Sequence, residues 1–213
     1  MIISVLYRNE FIKSIFEFLN SLESAHIYLV GGAVRDAWLG KTSHDLDFIV
    51  EGDTIAVARQ LADTIDGDFY ILDASRAYAR VIGYDRSRAR IIIDFTPLSQ
   101  NDLVSDLRAR DFSINAIAWD INSSGEELLD PLNGLEDLEK RVLRPCSEQA
   151  FLNDPVRTIR AARFSVAYNL YLSERIYQQI RDALGDLGKV SEERKRDELF
   201  KIFSAEKSYG CLC

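Results

Sequence analysis

The segment from Ile27 to Gly52 constrains the fold of this chain more than any other part of the sequence. It opens with a short apolar run, Ile27 to Val30, which is long enough for one buried strand. A glycine pair interrupts that run, and residues 33–39 have the pattern of a short helix. A second apolar run, Leu46 to Val50, predicts another strand. The segment is therefore predicted to form a strand–turn–helix–strand unit.

Two aspartates, Asp45 and Asp47, stand at the start of the second predicted strand. Strand side chains alternate between faces, so these two carboxylates are expected on the same face. The turn at Gly31 and Gly32 opens a helix, and its backbone N–H groups suit phosphate oxygens. Each feature alone is most often a plain turn or strand end. Together they suit a pair of divalent cations bound with a nucleoside triphosphate.

Composition narrows the class of protein without identifying it. The 213 residues include 26 Lys plus Arg and 34 Asp plus Glu, for a net charge of −8. A net negative charge is not typical of a nucleic-acid-binding protein. Local basic patches and bound metal ions nevertheless allow an acidic chain to bind nucleic acid. Cys146, Cys211 and Cys213 form neither a disulfide framework nor a zinc set. No apolar run approaches membrane-spanning length, so we expect a cytoplasmic protein with reduced thiols and no membrane partner.

Apolar periodicity predicts an α+β protein with about five strands and interspersed helices. The predicted helices are Asn9–Leu22, Thr54–Ile65 and Ser191–Ser204, and the later strands are Phe69–Leu72, Tyr78–Tyr84 and Arg90–Phe95. Asp94 lies at the end of the last of these strands. It is equally compatible with a third carboxylate beside a metal pair, able to accept a hydroxyl proton, and with an ordinary strand end.

A second polar segment runs from Leu107 to Asp120 and leads into another apolar strand. One interpretation is a helix start at which Asp111 caps and the arginines are solvated. The functional interpretation places Arg110 on a triphosphate, with Asp111 and Asn115 around a ribose.

A third segment, within the helical part that starts near Phe151, spaces Asp154, Arg157, Arg160 and Arg163 three residues apart. Each step of three rotates back by about 60° on a helix, so these side chains form one slowly drifting stripe. Pro155 suits a first helical turn, so Asp154 is also a natural N-cap.

Base recognition explains the same pattern. Cytosine and adenine both present an exocyclic amine beside an unprotonated ring nitrogen, whereas uracil and guanine present a carbonyl beside a protonated one. A carboxylate accepts from the amine and a guanidinium donates to the ring nitrogen. Asp154 and Arg157 are therefore candidates for selecting C and A without a template.

Three segments in this order resemble the motifs of one enzyme family. The first is the glycine turn with its Asp-x-Asp pair. The second is usually an Arg-Arg-Asp-Phe-Thr-Ile-Asn-Ala run, here with Ala109 for the first arginine and Ser113 for the threonine. The third is a Glu-Asp-x-x-Arg motif, here with Asn153 for the glutamate. From Ile27 to Phe203 the chain thus resembles the class II tRNA nucleotidyltransferases, which include CCA-adding enzymes, and the bacterial poly(A) polymerases.

The resemblance implies a polymerase-beta-like head with a mixed sheet over residues 1–145 and a helical neck over residues 146–213, shortened at the C-terminus relative to the family. It implies template-independent addition of C, A or both from CTP and ATP to a tRNA 3′ end, with release of pyrophosphate and with Mg²⁺ as cofactor. It assigns metal binding and catalysis to Asp45 and Asp47, and nucleotide binding to Gly32, Arg35, Arg110, Asp111, Asn115, Asp154, Arg157, Arg160 and Arg163.

Two alternatives stay open at this point. A poly(A) polymerase is built from the same motifs. A nucleotide-binding module without turnover would fit a chain that lacks the family's tRNA-holding domains, but it would have no use for both aspartates of the metal pair.

Overall fold

The computed structural model describes residues 2–99, 102–123 and 125–204, so Cys211 and Cys213 lie outside the described residues. The chain divides into two compact units. The first, here called the sheet unit, comprises Met1–Leu107 and Ile117–Pro131, and the second, the helical unit, comprises Arg108–Ala116 and Leu132–Cys213. Both units are thus discontinuous in sequence, whereas the predicted head and neck meet once, after residue 145. That predicted domain division stays a prediction.

The sheet unit contains the strand–turn–helix–strand segment and most of the predicted strands. Its helices are α1 Ile2–Leu6, α2 Glu10–Asn20, α3 Gly32–Trp38 and α4 Thr54–Ile65, and α5 Leu103–Ala109 begins in it. Its strands are β1 His26–Val30, β2 Asp45–Glu51, β3 Asp68–Asp73, β4 Tyr78–Tyr84, β5 Arg90–Pro97, β6 Ala118–Asp120 and β7 Leu128–Leu129.

Within the described residues these strands form one seven-stranded mixed sheet in the order β3-β4-β5-β2-β1-β6-β7. Strands β2 and β5 are parallel, and the other neighbouring pairs are antiparallel. The sheet and the helices confirm the predicted α+β fold. The prediction of about five strands was short because β7 has two residues, too few to show a period of two.

One face of the sheet is apolar because the strands alternate. Leu46 and Phe48 of β2 are buried, and so are Ile93 and Phe95 of β5. The Phe48 and Phe95 rings stack with centroids 5.4 Å apart, and Phe16 of α2 meets Phe48 edge-on at 5.7 Å. The opposite face of β2 at this end therefore carries the intervening residues, which are the aspartates.

The helical unit is built around three phenylalanines. Its elements are the 3₁₀ turn Ser113–Asn115, α6 Gly134–Glu139, α7 Ala150–Asn153, α8 Val156–Tyr168, α9 Glu174–Ala183, the 3₁₀ turn Leu184–Lys189 and α10 Glu192–Phe203. Phe112 packs against Phe164 of α8 at 5.7 Å and against Phe151 of α7 at 6.1 Å between ring centroids. A Cβ on Gly134 would lie 2.1 Å from the Ser113 carbonyl oxygen, so only glycine allows this approach of α6 to the 3₁₀ turn.

No helix in the described part of the chain is both long enough and apolar enough to cross a membrane.

Candidate functional site

The glycine turn begins with Gly31, which has φ 73° and lies in the region that favours glycine. Its N–H donates to the Ile117 carbonyl at 3.1 Å, and its carbonyl accepts from the N–H of Arg35 at 3.1 Å. Any phosphate-binding N–H groups must therefore come from the first turn of α3, starting at Gly32. A Cβ on Gly32 would only reach van der Waals contact with Arg35 Nη2, at 3.4 Å.

Arg35, predicted to contact a triphosphate, is buried in α3 with 5% of its surface exposed. Its Nε donates to Asp36 Oδ1 at 2.9 Å and its Nη2 to Asp36 Oδ2 at 3.0 Å. This two-point geometry is that of a strong charge-assisted pair. Arg35 is buried and Asp36 is half-buried, so the pair is largely shielded from water and fixes the direction of the Arg35 side chain.

Asp45 and Asp47 are both exposed on one face of β2, with the buried Leu46 between them. The start of the strand is fixed by Ser43, whose Oγ donates to the Asp45 carbonyl at 2.8 Å and accepts from the Asp45 N–H at 3.2 Å. The two carboxylates therefore point to the same side of the sheet unit and are accessible to a ligand.

Asp94 lies directly beside Asp47 in the parallel pairing of β2 and β5, and Arg80 lies beside Asp94 in the pairing of β4 and β5. Arg80 donates from Nε to Asp94 Oδ1 at 2.6 Å and from Nη2 to Oδ2 at 2.7 Å. The hydrogen bond to Asp94 is the main cause that raises the pKa of Arg80, with further contributions from the charges of Asp94, Asp45 and Asp47. Both oxygens of Asp94 are thus engaged by an arginine.

The family resemblance implies a divalent cation, which needs oxygen ligands from the protein. Among the described residues, no three or more His, Cys, Asp or Glu side chains are grouped so that they could hold a metal. Mg²⁺ in nucleotide sites, however, typically takes one or two carboxylates together with phosphate oxygens and water. Asp45 and Asp47 fit that requirement without Asp94.

In the helical unit, Asp111 is almost fully buried, with 7% of its surface exposed. Its Oδ1 accepts from the Phe112 N–H at 2.8 Å and from Asn115 Nδ2 at 3.0 Å, and its Oδ2 accepts from Arg160 Nε at 2.8 Å. Burial favours the neutral acid, but the charge of Arg160 and these hydrogen bonds outweigh it and lower the pKa of Asp111. Asp111 therefore orients the amide of Asn115.

Arg160 and Arg163 of α8 converge on one glutamate of α10, Glu198, which is 5% exposed. Arg160 Nη1 donates to Glu198 Oε1 at 3.0 Å, and Arg163 Nε donates to Oε2 at 2.8 Å. Burial opposes ionisation of Glu198, but Arg163 and Arg160 outweigh it, so its pKa is lowered. Two of the three arginines in the predicted stripe are thus held by a buried carboxylate.

Asp154 and Arg157 have different partners. Arg157 donates from Nη2 to the Ala109 carbonyl at 2.9 Å and from Nη1 to the Arg110 carbonyl at 3.2 Å. These bonds are independent of the side chain at position 109, where the family has arginine. Asp154 accepts from Arg194 Nη2 at 2.7 Å, and its nearest approach to Arg157 Nε is 3.8 Å.

The capping interpretation of Asp154 does not match the structure. Helix α8 begins at Val156 with Pro155 at its N-cap position, and no side chain caps it. The backbone carbonyl of Asp154, not its carboxylate, accepts from the Arg157 N–H at 3.0 Å. The capping interpretation of Asp111 also fails, because the 3₁₀ turn that follows has Phe112 at its N-cap position and no side chain caps it. Arg110 is half-buried.

Three residues of the site were not predicted from the sequence, namely Arg80, Arg194 and Glu198. For Glu198 a signal was present, because Ile202 lies four residues later and both occupy the buried side of α10. A charged residue on the apolar face of a helix indicates a buried partner. The other two have no comparable local signal, because both are exposed or half-exposed residues whose partners are distant in sequence.

Residues 27–144, more than half of the chain, match the family model described as the poly A polymerase head domain. The CC-adding tRNA nucleotidyltransferase of Geobacter sulfurreducens is 39% identical over 175 residues, which are 82% of this chain and 40% of the relative. The A-adding tRNA nucleotidyltransferase of Deinococcus radiodurans is 43% identical over 190 residues, 86% of this chain and 42% of the relative.

A solved structure of a tRNA nucleotidyltransferase complexed with a primer tRNA and an incoming ATP analog is also similar. It has a TM-score of 0.79 and 29% sequence identity, and the match covers 93% of this chain and 58% of that protein. The chain therefore spans about half the length of the proteins that it matches.

Proposed function

Since this chain belongs to the poly A polymerase head domain family, we propose that it is a nucleotidyltransferase that adds C, A or both to the 3′ end of tRNA. The donors are CTP and ATP, and pyrophosphate is released. The named relatives act on tRNA by their names, which favours tRNA over a poly(A) tail as the acceptor. We also propose that it works in the cytoplasm.

One observation carries the proposal, namely the two exposed carboxylates of Asp45 and Asp47 on one face of β2. A protein that only bound nucleotides would not need two carboxylates where the triphosphate already brings negative charge. Carboxylate pairs in such positions repel an anionic ligand unless a cation is shared between them. The pair is therefore best explained by phosphoryl-group chemistry.

Asp45 and Asp47 would hold Mg²⁺, which when bound lowers the pKa of the attacking hydroxyl and neutralises the leaving pyrophosphate. Gly32, Arg35 and Arg110 would contact the triphosphate. Asp94 is not a metal ligand in this proposal, because Arg80 donates to both of its carboxylate oxygens. Arg80 also places one positive charge beside Asp45 and Asp47.

Asp154 and Arg157 would read the base through the edge that cytosine and adenine share. Asn115 is the residue proposed to meet the ribose, and Asp111 supports it by holding its amide. Arg160 and Arg163 support the reader helix α8 through Glu198, because their guanidinium groups are already paired with that buried carboxylate. Rejecting a base with the reversed polar pattern is worth several powers of ten when buried groups are left unpaired.

The experiment is incubation of the purified chain with Mg²⁺, labelled CTP or ATP, and tRNAs that end before C, CC or CCA. We expect label to be added to at least one of these ends, and low ionic strength to favour it because the chain is acidic. Addition of long A tracts to RNA lacking a tRNA fold would favour a poly(A) polymerase. Binding of CTP and ATP without any incorporation would favour a binding module and contradict the proposal.

A further inference from the structure

Arg194, in the first turn of α10, contacts the carboxylate that the proposed function uses to read the base. Its Nη2 lies 2.7 Å from Asp154 Oδ2. Helix α10 is held in place by Ser191, which caps it by accepting from the Arg194 N–H at 3.4 Å, and by the buried Glu198. Helix α10 is therefore fixed at Ser191 and at Glu198, and Arg194 lies between these two positions.

The two oxygens of Asp154 are in different situations. Arg194 donates to Oδ2, and the nearest atom of Arg157 also faces Oδ2, at 3.8 Å. Within the described residues, no hydrogen bond reaches Oδ1. One oxygen is thus held by a cation while the other keeps its capacity to accept a hydrogen bond from a ligand.

Arg194 also lies beside open space on both sides. It lines a cavity of about 480 Å³ together with Asp154, Lys189 and Ser191. It lines a second cavity, of about 200 Å³, together with Arg160 and Glu198. Without a partner, the carboxylate of Asp154 would have room to rotate, so Arg194 is the contact that limits its orientation.

We propose that Arg194 is a positioning residue that holds Oδ2 of Asp154 and leaves Oδ1 as the single acceptor for the exocyclic amine of the incoming base. This inference rests on the proposed function. A carboxylate with one oxygen held offers an acceptor in one direction, and a base with a carbonyl at that place meets only repulsion. A freely rotating carboxylate discriminates less, because it turns away or admits a bridging water.

The test compares nucleotide binding by isothermal titration calorimetry with Mg²⁺ present, using CTP, UTP, ATP and GTP and four proteins. These are the wild type, Arg194→Ala, Arg194→Lys and Arg196→Ala. Arg196 lies on the same helix and pairs loosely with Asp197 at 3.7 Å, so its removal changes the net charge equally without touching Asp154. Melting temperatures of all four proteins are measured in parallel.

We expect Arg194→Ala to weaken CTP and ATP binding and to leave UTP and GTP binding unchanged, so that the CTP-to-UTP preference falls. Because Arg194 is more than half exposed, the fall should be modest, about three- to fivefold. Arg194→Lys should restore most of the preference, and Arg196→Ala should retain all of it. A purely structural role would instead weaken all four nucleotides together and lower the melting temperature.

An unchanged preference in Arg194→Ala would overturn the inference and leave the proposed function intact. Tighter CTP binding in that variant would also overturn it, because Arg194 would then compete with the base instead of positioning its acceptor. If the wild type itself bound all four nucleotides equally, the base-reading part of the proposed function would fail first.

Discussion

The two units of this protein handle charge in opposite ways. In the sheet unit, Asp45 and Asp47 are exposed on one face of β2, and the neighbouring cation Arg80 is bound to another carboxylate, Asp94. In the helical unit, Asp111 and Glu198 are buried and both accept directly from Arg160, and Glu198 also accepts from Arg163. Negative charge is left accessible in the first unit and is neutralised in the second.

Exposed and buried carboxylates have different energetic costs and therefore suit different functions. Exposed carboxylates cost little to maintain because water solvates them, and they are available to a cation that arrives with a nucleotide. Buried carboxylates are expensive unless they are paired, but once paired they fix the side chains around them. In the proposed function, the sheet unit would bind a cation that arrives with each nucleotide, and the helical unit would hold donors and acceptors in a constant geometry.

The largest effect should come from removing an exposed carboxylate. We expect Asp45→Ala or Asp47→Ala to reduce nucleotide incorporation by several powers of ten, the scale of a lost metal-stabilised transition state. The melting temperature should not change, because both side chains are exposed. Asp68→Ala, at the exposed start of β3, is the matched control and should retain full activity. Incorporation near the wild-type rate in either variant with Mg²⁺ alone would refute the metal role.

Removing a buried carboxylate should affect stability instead. Glu198→Gln leaves Arg160 and Arg163 without their shared anion, which costs about 3 kcal/mol in free energy of unfolding, at the lower end for a broken buried pair because the arginines are partly exposed. Urea unfolding of this variant and of Glu193→Gln, on the exposed side of α10, measures the difference. Equal midpoints for the two variants would show that the buried network contributes no stability.

We expect the folded protein to lose stability in acid because of the buried carboxylates Asp111 and Glu198. The pKa values of Asp111 and Glu198 are lower in the folded protein than in the unfolded chain, so the folded state binds fewer protons at mildly acid pH. Their stabilisation is complete above the unfolded values near 4 and is lost as pH falls through the lower folded values. Melting temperatures from pH 6 to pH 3 should decline more steeply in the wild type than in Glu198→Gln. Parallel profiles would exclude Glu198 as a source of the acid sensitivity.

Substitutions at Asp154 and Arg157, the proposed base-reading residues, should change nucleotide selection by an intermediate amount. Asp154→Asn supplies a donor as well as an acceptor, so discrimination against UTP and GTP should fall by about a hundredfold. Arg157→Ala removes the donor to the ring nitrogen and should raise the KM for CTP and ATP together. The measurement is kcat/KM for all four nucleotides. A loss confined to either CTP or ATP would contradict recognition through their common edge.

The smallest effect is expected at Arg80. Arg80→Met removes the cation beside Asp45 and Asp47 and frees the carboxylate of Asp94, so the local potential becomes more negative. Half-maximal activity should then need a few-fold less Mg²⁺, on the scale of one partly screened charge. Arg90→Met, at the exposed start of β5, should leave the Mg²⁺ requirement unchanged. A higher requirement in Arg80→Met would mean that Arg80 supports the aspartate pair instead of opposing it.

Much of the fold was predictable because it depends on apolar patterns that are local in sequence. Helix α4 begins and ends at the predicted Thr54 and Ile65, and strand β4 spans the predicted Tyr78–Tyr84. Both elements bury a regularly spaced apolar face, which is the signal that periodicity reports.

The partners of charged residues were less predictable, because pairing depends on tertiary geometry. Arg35 was expected to contact a triphosphate, but its two-point pairing with its sequence neighbour Asp36 was not predicted. From the sequence, Asp94 was equally compatible with a third carboxylate beside a metal pair and with an ordinary strand end. Only the pairing of β4 with β5 shows that Arg80 lies beside it. Glu198 is 35 and 38 residues from the arginines that it binds, a separation that no local pattern encodes.

The discontinuity of the helical unit has a consequence for synthesis on the ribosome. Arg160 follows Asp111 by 49 residues, and Glu198 follows Arg160 by a further 38 residues. The ion network is therefore complete only when α10 has left the ribosome. At about 5–20 residues per second, the nascent chain spends several seconds with these charges unmatched. We expect α8 to be held firmly only at that last step. Arrest-peptide force profiles should then show a folding event of the helical unit for chains that include α10 and no event of that unit for chains that end at Val190. A complete event of the helical unit at the shorter length would contradict this order.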